Sequence, residues 1–351
     1  MAKKSKKNER KKKLKSLVLL LFLTILLLST STYAWFTANR SVSIDAINVN
    51  VTAVSGLQIS TDASEWKTLI NNTDIRTPAA YTTHKNQLPT ILSPVSTAGT
   101  TTGAYLNMFK GTVAGDPANG GQMSLTTVAC DAEAAGSNGD FVAFDIFLKA
   151  DEAGTVYLEN GSGVTVTASQ ADKGLQYAAR YAFVIEGNVN SNSEPSDAQA
   201  LSGASSVIIV EPNYDAHKTS GVNNASTYYN ISTTAAADGV AAVSYVGVKA
   251  AFSTPILLVN TNPGGTVDST KFASITNLMR TNVAYSGASS SYAAYIGNTV
   301  QTHLLPVFTL AAGITKIRVY MWIEGQDIDC ENADSGAYLT YKLGFTLDDD
   351  E

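Results

Sequence analysis

Apolar residues are spread along this chain in two different ways. Near the start they are continuous: Leu17–Leu28 reads LVLLLFLTILLL, with Thr24 its one polar position. Beyond residue 40 they alternate. Ser41–Val51 (SVSIDAINVNV) puts Val42, Ile44 and Ala46 on one parity and Ile47, Val49 and Val51 on the other. A bulge near Ala46–Ile47 brings both sets to one buried side. Phe141–Lys149 (FVAFDIFLK) is apolar at nearly every position, which predicts a central strand covered on both faces. Lys316–Ile323 alternates with Ile317, Val319, Met321 and Ile323 on one face. Ala337–Leu347 does the same with Leu339, Tyr341, Leu343, Phe345 and Leu347, so this last strand belongs inside a sheet.

Further strands are predicted at Ser124–Ala129, Tyr177–Ile185, Val207–Val210, Val240–Val248 and Ile256–Val259. Thr155–Leu158 and Val164–Thr167 flank ENGSG and predict a hairpin with Asn160-Gly161 at its tip. Ser269–Met279 is the one candidate for a short helix in this region. The expected fold is all-β: an antiparallel β-sandwich over residues 37–351, a single large domain. Long loop excursions are expected near 60–125, 187–239 and 262–303. Ser, Thr, Ala, Gly and Asn dominate, which suits strands and polar loops.

The continuous apolar run has a second meaning. It follows a basic block, MAKKSKKNERKKKLK, and leads through small residues into TYAWFTAN. A cationic segment, a short apolar core and a small-residue exit make an export signal, and residues 1–36 carry it as an N-terminal hydrophobic helix. Two outcomes stay open: cleavage near Ala34, or retention as an anchor through residues 16–36 with Trp35 and Phe36 as interfacial aromatics. Either way the rest of the chain is expected outside the cell or on its surface, with the membrane contacted only through the N-terminal segment.

Charge divides at the same boundary. Residues 1–15 carry a net charge of +8, leaving fifteen basic and twenty-nine acidic residues, net −14, in the remainder. Such an acidic domain repels phosphate backbones, which argues against nucleic acid as a partner. The two cysteines, Cys130 and Cys330, are a candidate disulfide for an exported chain. His84, His217 and His303 are scattered, without the paired spacing of a zinc site. In QDIDCENAD, Asp327, Asp329 and Glu331 resemble one edge of a calcium loop, but no glycine stands sixth and no Glu twelfth. A loop whose carboxylates cap a turn is the plainer reading. Glu159, Glu186 and Glu211 have no spacing that pairs them, and no nucleophile, phosphate-loop or cofactor motif is present. No enzymatic activity and no cofactor are therefore expected. Tyr228, Tyr229, Tyr285, Tyr292 and Tyr295 lie among Ser, Asn and Gly, a composition that suits an adaptable binding surface.

Several segments share an order with known proteins: TYAWFTANRSVSI, FVAFDIFLKAD, YAARYAFVIEG, IIVEPNYDAH and RVYMWIEGQDIDCENA. In these the chain resembles Gram-positive secreted proteins with the signal type described as SipW-dependent. It is distantly similar to the TasA/camelysin family, whose better-known members are biofilm-matrix fibre subunits with a jelly-roll β-sandwich. The resemblance implies an exported surface structural protein, with other copies of itself or other surface proteins as partners. Fibre subunits of that family are usually shorter than the 317 residues that follow Ala34 here, and the three long excursions have no clear counterpart. The first strand, through Val42, Ile44, Ile47, Val49 and Val51, is the candidate assembly element, since strand addition to a neighbour is driven by main-chain pairing. The alternative is an ordinary first strand paired within its own chain. The rival function is an adhesin or carbohydrate-binding module working through the Tyr-rich loops.

Overall fold

The computed structural model describes residues 42–51, 56–76, 86–114, 124–131, 136, 138–159, 162–166, 175–212, 246–257, 268–275, 278–282, 293–296, 299–301, 306–327, 329–330 and 338–347. The basic and apolar N-terminal stretch of residues 1–36, the three histidines and four of the five loop tyrosines lie outside them; Tyr295 contributes only backbone. Among the described residues no helix is long and apolar enough to cross a membrane.

The described residues are mostly strand, with few helices. β1 (Val42–Val51), β2 (Gln58–Ser60) and β3 (Leu69–Ile70) lead into helix α1 (Asn72–Arg76). Short strands follow: β4 (Ile91–Leu92), β5 (Thr101–Thr102), β6 (Tyr105–Leu106), β7 (Phe109–Ala114) and β8 (Ser124–Ala129). Next come β9 (Val142–Ala150), β10 (Gly154–Leu158), β11 (Gly163–Val166), β12 (Ala179–Val189), helix α2 (Pro195–Gln199) and β13 (Ser206–Glu211). The last third holds β14 (Val246–Val248), β15 (Phe252–Leu257), β16 (Phe272–Ser274), β17 (Leu278–Asn282), β18 (Ala293–Ile296) and β19 (Thr299–Gln301). It closes with β20 (Pro306–Leu310), β21 (Gly313–Ile323) and β22 (Tyr338–Thr346).

Two large sheets dominate. The first has the order β20-β10-β22-β1-β3, with β11 also on β22 and β4 also on β1. The second has the order β19-β18-β17-β13-β12-β21-β9-β2. One core is filled from both. Leu339, Tyr341, Leu343 and Phe345 of β22 join Val142, Phe144, Ile146 and Leu148 of β9 and the apolar parity of β21. Phe183 of the second sheet lies edge-on to Phe308 and Phe345 of the first, with ring centroids 5.7 and 5.5 Å apart. Such aromatic pairs add to the burial that holds the sheets together.

The expected strands at both ends and in the middle form, and β9 is covered on both faces as its sequence predicts. A second apolar cluster lies over the other face of β9, β12 and β21, where Val95, Leu106 and Met108 from the short-strand region pack on Ala143, Val184 and Trp322. That cover comes from the described part of residues 60–125, where the short strands β3 to β7 stand between loops. The polar stretch after 187 likewise continues β12 to Val189 and then forms α2. Around Ser269–Met279 the described residues form β16 and the start of β17, not a helix; Phe272, Ala273 and Ser274 pair with β14, and Leu278 and Met279 with β13.

Two corrections concern pairing. The sheets are not purely antiparallel, because β1 runs parallel to β22 and β13 parallel to β17. A parallel pair needs a long crossover, and for β1 and β22 the intervening domain supplies it. The expected hairpin at 155–167 does not form either. β10 and β11 both run antiparallel to β22, pairing with successive stretches of it, Leu158 with Phe345 and Gly163 with Lys342. The chain makes a short excursion and resumes the same direction. Gly344 permits this. Glu159 N donates to Gly344 O at 2.8 Å, and the Ser162 hydroxyl accepts from Gly344 N at 2.9 Å. A side chain at 344 would collide with the Glu159 carboxylate.

Candidate functional site

The candidate assembly strand is an interior strand. β22 pairs with β1 on one side, while β3 and β4 pair with its two ends on the other. The register shifts between Ile44 and Ala46, so the expected bulge is present and Val42, Ile44, Ile47, Val49 and Val51 all enter the same core. The pairing within its own chain is thus the observed arrangement.

The Asp-rich loop is an ion-pair site. Arg180 of β12 places Nη2 2.6 Å from Asp327 Oδ2 and 2.9 Å from Glu211 Oε1 of β13, and all three residues are buried. The other Asp327 oxygen, Oδ1, accepts from Asp329 N at 2.9 Å, which is the turn-capping role. Nearby, Glu324 accepts from Trp322 Nε1 at 3.1 Å. Burial pushes the Glu324 carboxyl up to about 7, against the pull of Arg180. The Asp327 carboxylate thus faces a cation and the backbone amide of Asp329, which is itself buried; Glu331 lies outside the described residues. No group of His, Cys, Asp or Glu able to hold a metal ion occurs among the described residues.

The expected disulfide is not formed: no sulfur–sulfur bond joins Cys130 to Cys330. Cys330 belongs to the core between the two large sheets, whereas Cys130 packs with the cluster on the opposite face of β9, β12 and β21. Burial pushes the Cys130 thiol up to about 12, so it stays protonated and unreactive at neutral pH.

A second ionic cluster has no counterpart in the sequence expectations. Lys316 and Arg318 stand on the polar parity of β21, Asp145 on β9 and Glu186 on β12, and none is more than 3% exposed. Signs alternate along the cluster. Glu186 Oε2 is 3.0 Å from Lys316 Nζ, and Nζ is 3.5 Å from Asp145 Oδ2. Asp145 Oδ1 is 2.7 Å from Arg318 Nη1. Arg318 also lies 5.7 Å from the rings of both Tyr105 and Tyr320. Lys316 Nζ donates in addition to the carbonyls of Gln199 and Leu201, at 3.1 and 2.7 Å. Glu186 is the extra residue of a bulge, since Ile185 faces Ile317 and Gly187 faces Lys316. Gly187 has a φ of +149°, and a Cβ there would meet Leu201 Cδ2 at 3.0 Å. The bulge thus aims the Glu186 carboxylate at Lys316. Burial, then the Asp145 charge, pushes that carboxyl up to about 8, partly offset by Lys316.

The segment after α2 covers this cluster. Ala198 packs with Phe147, Ile314 and Ala63, and Gln199 Nε2 donates to Asp62 O at 2.7 Å. Each charged residue was visible in the sequence, on the polar parity of a strand otherwise apolar. The signal available was that Asp145, Lys316 and Arg318 are opposite charges within otherwise apolar strands, with Glu186 directly after a third. Their convergence depends on β21 lying between β9 and β12, which alternation does not encode. The third glutamate considered, Glu159, follows β10 and accepts from Asn50 of β1 in the first sheet, whereas Glu186 and Glu211 belong to strands of the second. No family model, curated protein or solved structure matches the chain.

Proposed function

We propose that this chain is an exported, non-enzymatic structural protein of the cell surface. In this reading it is a jelly-roll-like β-sandwich that assembles into a matrix or fibre by strand addition through β1. The observation that supports it is the way β1 is held. It follows the export segment in sequence and pairs with β22 at eight positions, but among the described residues the strands on its other side are the two-residue β3 and β4. Val42, Ile44, Ile47, Val49 and Val51 give the β1 slot a defined register, which the same strand of a second copy matches identically. The described form is then the closed one, in which the chain fills its own slot.

Deleting β1 would remove the middle of a sheet, so the test locks it instead. Ala46 and Thr340 are cross-strand partners on the half-exposed face of β1 and β22. In Ala46→Cys with Thr340→Cys, the paired positions suit a disulfide. Oxidised protein is expected to remain monomeric and reduced protein to form filaments by negative-stain microscopy. Equal filaments in both states would exclude exchange of β1. A wild-type protein that stays monomeric and retains a glycan on an array would favour the adhesin reading.

A further inference from the structure

We propose that Lys316, Asp145 and Glu186 form a self-cross-linking site, in which Lys316 Nζ condenses with the Asp145 carboxyl to give an amide bridge between β21 and β9. The inference is independent of whether the chain polymerises. Three chemical requirements meet at one place. A buried amine lies beside a buried carboxyl, with Nζ 3.5 Å from Asp145 Oδ2. The other oxygen of that carboxyl is held by Arg318 Nη1 at 2.7 Å, which is where a donor stabilises the negative charge of a tetrahedral intermediate. A second carboxyl, on Glu186, reaches the same amine at 3.0 Å and can relay its protons. Lys316 is wholly buried beneath the segment that follows α2, so water is kept from the reacting atoms.

The step balances without any co-reactant. The Lys316 ammonium passes one proton by way of Glu186 to Asp145 Oδ2, leaving a neutral amine against a neutral acid. The Nζ lone pair attacks Asp145 Cγ, and the carbonyl electron pair moves onto Oδ1 under Arg318. The nitrogen gives up a second proton through Glu186 to Oδ2, the Cγ–Oδ2 bond breaks and one water leaves. An ammonium and a carboxylate have become an amide and water, nothing is oxidised or reduced, and Glu186 ends as it began. Two effects drive the reaction. The groups are held at high effective concentration, on the order of 10⁵ M or more for well-oriented pairs. Condensation also removes a positive and a negative charge from a site where burial penalises both.

Asp145 is assigned as the acceptor, although Glu186 is nearer, because Arg318 acts on Asp145. The raised carboxyl of Glu186 suits it to carry a proton near neutral pH.

The test is mass spectrometry of the full chain recovered from cells, denatured and digested with trypsin. The expected species joins the peptides containing Asp145 and Lys316, is lighter than their sum by one water, and is uncut after Lys316. Asp145→Ala should abolish it. Glu186→Gln should slow its formation about 10²–10⁴-fold, the usual contribution of a proton-transfer group. A folded wild-type protein cleaved normally after Lys316 would overturn the proposal. A bridge ending at Glu186 would overturn the assignment of roles. The wild-type measurement decides the question even if a variant fails to fold.

Discussion

Leu343 lies in the middle of β22 with its side chain wholly inside the core. Truncating it leaves a cavity between two sheets that are tied together along their lengths. Leu343→Ala is expected to cost about 2–5 kcal/mol, read as a lower urea midpoint. Two residues along the same face, Tyr341 behaves oppositely. Its ring meets Tyr181 edge-on, with centroids 5.8 Å apart, but its hydroxyl is buried without a hydrogen-bond partner among the described residues. Tyr341→Phe keeps the ring and removes the unsatisfied group, so it is expected to be neutral or to stabilise by about 1 kcal/mol. A loss of more than that would show that the hydroxyl is bonded. Glu324 sets a pH dependence. Its carboxyl is raised from 4.5 to about 7 by burial, while Arg180, Trp322, Ser96 and Gln326 favour its charge. The folded protein therefore holds a proton that the unfolded chain has lost. Stability is fully present below about pH 4.5 and is lost as pH rises through about 7, and Glu186 acts in the same direction up to about 8. Unfolding free energies from urea melts at pH 5 and pH 8 should differ by about 1–3 kcal/mol, with the lower value at pH 8. Glu324→Gln should reduce the difference and leave the part that Glu186 carries.

At the scale of elements, the excursion between β10 and β11 is the most exposed to single changes. It rests on Gly344, where Glu159 and Ser162 both bond to the β22 backbone. Gly344→Ala forces the Glu159 side chain away and is expected to cost about 1–3 kcal/mol in thermal or urea melts. Glu159→Ala in the same chain should return part of that loss, because the carboxylate is the first atom group in the way. An additive pair of effects would mean that the two positions do not touch. The bulge at Glu186 is a comparable device on the other sheet, one extra residue that turns a carboxylate toward Lys316.

The whole molecule is organised by its middle strands. β21 lies between β9 and β12, so one face feeds the shared core and the other carries Lys316, Arg318, Tyr320 and Trp322 under a covering layer. A cross-link between β9 and β21 would join residues far apart in sequence at the centre of the second sheet. Chains carrying the bridge should melt higher than Asp145→Ala chains in thermal melts. The first and last strands pair in the other sheet, so ends and middle contribute to the same core by different routes.

Apolar patterning alone determined that β1, β9, β21 and β22 are strands: alternation marks the core face of β1, β21 and β22, and the nearly continuous apolar run marks β9 as covered on both faces, whereas burial of the polar face of β21 was decided by the tertiary structure. The parity of Leu339, Tyr341, Leu343 and Phe345 leaves one side to hide, and the change of phase in Ser41–Val51 requires a bulge. Those are local consequences of the pleat, in which neighbouring side chains point to opposite faces. Tertiary structure decided everything that depends on which strand is next to which. Alternation does not say that β1 runs parallel to β22, that β10 and β11 share one partner, or that Cys130 and Cys330 fall in separate clusters. It does not bring Asp145, Glu186 and Lys316 together either, since they come from three strands distant in sequence. Their meeting is a property of sheet order and register, which many residues fix jointly through packing.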